Sequence, residues 1–140
     1  MPIPKIASPA AAGTEDWSAV CAAMAVGSLC ALAAAAPREL LKDPALRGLL
    51  TAVARECATA AHGLGLRISR RPEALAARMC RDRRLKTHPW VRALRAGRPT
   101  GAAAALRTLL AAARRPGGTP APKLTLIAAA LRRLETPHDR

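Results

Sequence analysis

The sequence predicts an all-α domain, and three observations carry that expectation. Apolar residues recur at helical spacing in most segments. Proline and glycine break the chain at intervals suited to helix starts and stops. No stretch alternates apolar and polar residues over a useful strand length. The length of 140 residues fits one domain. Its core is unusual, because 35 residues are Ala, there is no Phe or Tyr, and the only aromatics are Trp17 and Trp90. With few bulky fillers, the helices must approach closely, toward the short end of the usual range of about 8–10 Å.

Residues 1–13, "MPIPKIASPAAAG", read as an irregular tail, since three prolines and a glycine oppose regular helix. Thr14 or Asp16 can cap a first helix running to about Ala36, where Pro37 stops it. Ser18 to Ala36 carries no charge, yet it is mostly alanine, so insertion into a bilayer would be weak. Glu15 and Asp16 stand where a signal peptide would carry positive charge, although "ALAAAA" offers small, cleavage-like residues. A helix that is apolar all round and buried at the centre of the fold is the favoured reading.

Asp43-Pro44 is a strong start signal, an N-cap followed by proline at the first helical position. Leu46, Leu49, Leu50, Val53, Ala54 and Cys57 then share one face, and Gly63 closes the helix. "GLGLRIS" is a connector able to form a short extended piece. Pro72 begins a third helix to about Arg84, and Pro89 a short fourth ending at Gly97. A fifth is expected from a Thr100 cap to about Arg115, stopped by Pro116-Gly117-Gly118. Its Gly101 is odd, because a first turn favours a carboxylate near the unpaired N–H groups. Thr119 and the prolines after it open a sixth, with Leu124, Ile127, Ala128, Leu131 and Leu134 at helical spacing. The expected domain is therefore a bundle of about six helices over residues 14–136, with a short tail at 137–140.

The formal charge of +14 suggests a polyanion such as nucleic acid, acidic lipid or an acidic protein. Of 23 basic residues, however, 19 are Arg and 4 are Lys, spread over every segment. G/C-rich coding would produce the same skew toward Arg and Ala without selection for binding. Cys21, Cys30, Cys57 and Cys80 lack C-x-x-C spacing and lie within helical patterns, so they read as small buried hydrophobes in a reducing cytoplasm. No phosphate-binding glycine loop is present, because Gly63-Leu64-Gly65 lacks the third glycine and the preceding strand. Glu56 is the one carboxylate deep in a patterned helix, as a ligand contact or a partner for an arginine. His62 suits a helix C-terminus, His88 precedes Pro89, His138 lies in the tail, and none has a catalytic context.

The order of these pieces resembles one family. "KDPALRGLLTAVARECATAAHGLGL" is similar to the segment of ketopantoate reductases in which D-P-x-x-R leads a helix ending in A-x-A-x-G. "LRAGRPTGAAAALRTLLAAARRPGGTPAP" resembles their hallmark stretch, where G-R-x-T-E opens a helix and G-x-x-T-P precedes the last one. The resemblance runs from about Asp16 to Glu135 and concerns the helical second domain of 2-dehydropantoate 2-reductase. It implies the fold type of the 6-phosphogluconate dehydrogenase C-terminal domain. In the family, an N-terminal Rossmann domain binds NADPH and the helical domain supplies the substrate side of the cleft.

Carrying the family's residues over position by position empties the site. The general-acid lysine falls at Ala19, or at Ser18 if the register slips by one. The two asparagines fall at Ala23 and Gly27, the carboxylate-binding serine at Pro89, and the substrate-binding glutamate at Gly101, while a usual aspartate becomes Ala93. Arg98 and Thr100 of the turn are retained. The resemblance thus implies a stand-alone, non-catalytic scaffold or interaction domain that binds no NADPH by itself. Its expected partner is a Rossmann-domain protein or a second copy, with nonspecific polyanion binding as an alternative and no membrane association. A third reading is a substrate-domain subunit that complements a separate NADPH-binding chain.

Overall fold

The computed structural model describes residues 16–98 and 101–135. The expected tails at 1–13 and 137–140, and the candidate caps Thr14 and Thr100, lie outside the described residues. Seven helices and no strands are present among them: α1 Ser18–Ala33, α2 Glu39–Lys42, α3 Pro44–Gly63, α4 Pro72–Arg81, α5 Pro89–Arg95, α6 Ala102–Ala113 and α7 Pro122–Glu135. The expected count of six is corrected by α2, a single turn too short to show periodicity. Glu39 organises that turn by accepting the Ala36 N–H at 2.9 Å, the reach-back half of a capping box.

Helix α1 is the axis of the molecule. Every residue from Val20 to Ala31 is buried, and α3, α4, α5, α6 and α7 all pack on it. A helix can be covered on all sides this way only if it carries no charge and mostly small side chains, which is the composition of "SAVCAAMAVGSLCALA". It ends at Ala33 rather than Ala36, because Ala34 turns left-handed at φ 52° with its N–H on the Cys30 carbonyl. Its start is tied to the connector before α4. Trp17 N–H donates to the Arg67 carbonyl at 2.8 Å beside an isolated parallel bridge between Asp16 and Arg67, the short extended piece anticipated for that segment.

The caps explain most of the remaining boundaries. The Asp43 carboxylate accepts from Ala45 N–H at 2.9 Å and Leu46 N–H at 3.4 Å, as its position before Pro44 predicts. Helix α4 stops at Arg81, short of Arg84, because Asp82 turns extended and accepts the Arg84 N–H at 3.0 Å. Helix α5 stops at Arg95, where Gly97 adopts φ 71° in the chain reversal. The fifth expected helix begins later than its sequence suggests, since Gly101 is the N-cap of α6 rather than a first-turn residue, and the helix closes at Ala113.

The last helix begins at Pro122, not at Thr119, and its cap is remote in sequence. Glu56 on α3 accepts Leu124 N–H at 2.8 Å and Lys123 N–H at 3.4 Å, placing a carboxylate on the unpaired N-terminus of α7. Glu56 is therefore a helix cap rather than an arginine partner. No helix among the described residues is long and apolar enough to cross a membrane.

Glu56→Ala removes both bonds and should cost about 1–2 kcal/mol, the usual loss for a cap. Glu56→Gln keeps an acceptor and should retain most of the stability. Thermal denaturation of the two variants checks this, and an unchanged midpoint in Glu56→Ala would show that the cap contributes nothing.

Candidate functional site

Ala19, Ala23 and Gly27 stand one turn apart and so share a stripe of α1. Only Ala19 reaches solvent, being half-buried, while Ala23 is 1% exposed and Gly27 is fully covered. The cover is the start of α5. A Cβ added at Gly27 would stand 2.5 Å from His88 Cε1 and 2.7 Å from Trp90 Cε3, so only glycine permits this approach. The two rings meet edge-on, with centroids 5.5 Å apart and planes at 71°.

His88 has a defined structural task. Its Nδ1 accepts the Trp90 N–H at 3.1 Å, which caps α5, and its side chain is also hydrogen-bonded to the Ala23 backbone. With Nδ1 an acceptor, the ring proton sits on Nε2, the nitrogen left to donate to the Ala23 carbonyl. Burial pushes the imidazole down to about 4, from an ordinary 6.5, so the ring is neutral at physiological pH. Sequence reading missed this group as part of the site. Its signal was present in "HPW", a histidine before an N1 proline and next to one of only two tryptophans.

The other carried-over positions are not drawn into one polar cluster. Pro89 is the exposed first residue of α5 and Ala93 is half-buried on it. Gly101 is exposed at φ 79°, with open space where a Cβ would stand. That left-handed backbone is the physical reason for glycine there, since a glutamate would be strained. Arg98 is exposed, and Thr100 lies outside the described residues.

Ser18, the alternative to Ala19, is committed elsewhere. Its hydroxyl donates to Asp16 Oδ1 at 2.6 Å and accepts the N–H groups of Ser69 at 3.1 Å and Arg70 at 3.0 Å. The hydroxyls of Ser18 and Ser69 hold the Asp16 carboxyl well below the usual carboxylate range. The four cysteines are free and buried, and burial pushes Cys21 and Cys30 up to about 12 and Cys80 up to about 11, which leaves them protonated. His62 is exposed in the last turn of α3. Among the described residues, no group of three or more His, Cys, Asp or Glu could hold a metal ion.

The fold is an all-α domain wound around a buried, alanine-rich helix, with its Asp-Pro and Gly-Arg turns in this order. The family model described as ketopantoate reductase PanE/ApbA C terminal matches residues 13–135, and the chain belongs to that family. No curated protein and no solved structure matches the chain significantly.

The contact at Gly27 yields two expectations. Gly27→Asn should destabilise the fold by about 2–4 kcal/mol because a ring must move. Chemical denaturation measures this, and a neutral result would mean that α5 does not press on α1. The depressed value at His88 means that the unfolded chain takes up the proton first. This contribution to stability is complete above about pH 6.5 and is lost as pH falls toward 4. His88→Asn keeps a capping acceptor and does not titrate. The stability difference between wild type and this variant should therefore shift by up to about 3 kcal/mol between pH 7 and pH 4, and a pH-independent difference would contradict the assignment.

Proposed function

We propose that this family member is non-catalytic and works by packing against another protein chain. The observation that carries the reading is the filling of the α1 stripe by His88 and Trp90 at Gly27, where a substrate-holding side chain has no room. Ala19 has no proton to give, and loss of a general acid alone typically costs about 10²- to 10⁴-fold in rate. Pro89 and Gly101 offer no side-chain group to orient a substrate. The chain itself binds no NADPH in this reading, and its four free, buried thiols support a reducing, cytoplasmic setting.

Leu126 and Leu134 support a protein partner. They are 72% and 50% exposed, two turns apart on one face of α7, on a surface otherwise rich in arginine. The proposed partner is a Rossmann-type nucleotide-binding chain or a second copy of this one. The test pairs turnover with association. The purified chain, alone and mixed with the isolated nucleotide-binding domain of a ketopantoate reductase, should consume no NADPH with ketopantoate. Sedimentation should show self-association or a complex with that domain, lost in Leu126→Glu/Leu134→Glu. Turnover above background in either sample, or a monomer that ignores the added domain, would overturn the proposal.

A further inference from the structure

Seven arginines lie between Arg67 and Arg84, against two acids, Glu73 and Asp82. Both acids are already engaged: Glu73 with Arg71 at 3.1 Å and Asp82 with Arg84 at 3.3 Å. Asp82 also accepts the Arg84 N–H, and this bond comes first among the causes holding its carboxyl below the usual range. Arg70, Arg78 and Arg81 are left exposed and without an ion pair among the described residues.

These three arginines rim one groove, whose lining also includes the ion-paired Asp82 and Arg84. Its volume is about 490 Å³, and its apolar floor is Ala19, Leu75 and Met79, all half-buried. That size falls within the range of about 300–1,000 Å³ typical of small-molecule sites. The backbone beneath the rim is held in place. Arg70 sits on the connector stapled to Ser18 by its own N–H, and Arg78 and Arg81 stand three residues apart on α4. An apolar floor under unpaired guanidinium groups complements a molecule with an apolar body and an anionic head, because guanidinium pairs bidentately with phosphate or carboxylate. A nucleic acid fits less well, since Trp17 and Trp90 are both buried and no other aromatic is available for stacking.

We infer that the groove between α1 and α4 binds a small amphipathic anion, its apolar part over Ala19, Leu75 and Met79 and its phosphate or carboxylate head on Arg70, Arg78 and Arg81. Apart from Ala19 in the floor, the groove is lined by residues outside the carried-over family positions, and the inference holds whether or not the chain has a protein partner.

Octyl phosphate, used below its micelle concentration, is the probe, followed by calorimetry. One equivalent should bind saturably, with at least tenfold weaker binding for Arg78→Ala/Arg81→Ala and for neutral octyl glucoside. Inorganic phosphate, lacking the apolar body, should also bind at least tenfold more weakly. Arg107→Ala/Arg114→Ala, which removes two exposed arginines from α6 and its C-cap, should leave the affinity unchanged. Both double variants alter exposed side chains, so circular dichroism should show both folded. Equal loss in the two double variants, nonsaturable uptake, or binding seen only with duplex DNA or anionic lipid vesicles would overturn the inference.

Discussion

Everything in this fold depends on burying one helix on all sides. Helix α1 can sit at the centre only because it carries no charged group and mostly Ala, Gly, Ser and Cys, which let neighbouring backbones come close. Apart from Met24 and Leu29 of α1 itself, the large fillers are supplied by the surrounding elements, with Leu40, Leu50, Leu106, Leu109, Leu124 and Leu131 all fully buried. Small residues at the axis and leucines around it solve the packing problem of a core whose only two aromatics are tryptophans. Trp17 Nε1 is buried without a hydrogen-bond partner among the described residues, whereas the buried Ser18, Ser28 and His88 side chains are all bonded. Ser28, for example, donates back to the Met24 carbonyl at 2.5 Å.

The same constraint shapes the site. The α1 stripe reads Ala19, Ala23, Gly27, and the space beside Gly27 is occupied by an imidazole and an indole from α5. With no side chain at Gly27, α5 packs directly onto α1, and a larger residue there would have to move His88. This face of α1 is a packed interface, and the His88 cap serves the fold.

Much of this was legible in the sequence where the signal is local. Asp43-Pro44, Gly63, Pro72 and Pro89 fix helix ends because each acts on its own backbone within a turn. The uncharged run around Val26 identifies the central helix for the same reason. What was not legible depends on distance or on a backbone angle. Glu56 caps a helix that begins 66 residues later in the chain, and no spacing rule connects the two. The left-handed turn at Ala34 ends α1 at a residue that favours helix. Gly101 looked like a lost carboxylate within a first turn, whereas its φ of 79° makes it the N-cap itself. His88 was visible as a residue and a helix start, but its burial against Gly27 is a tertiary fact that needed both helices in place.

The closeness of α5 to α1 at Gly27 is the central claim, and the His88 imidazole reports on it directly. Long-range nitrogen–proton correlation spectra of the selectively labelled histidines, followed through a pH titration, read both the tautomer and the midpoint. Packing as described gives a neutral ring protonated on Nε2 that titrates only near pH 4. A His88 midpoint near 6.5 with mixed tautomers would place the ring in water, leave the stripe on α1 open, and contradict the filled site.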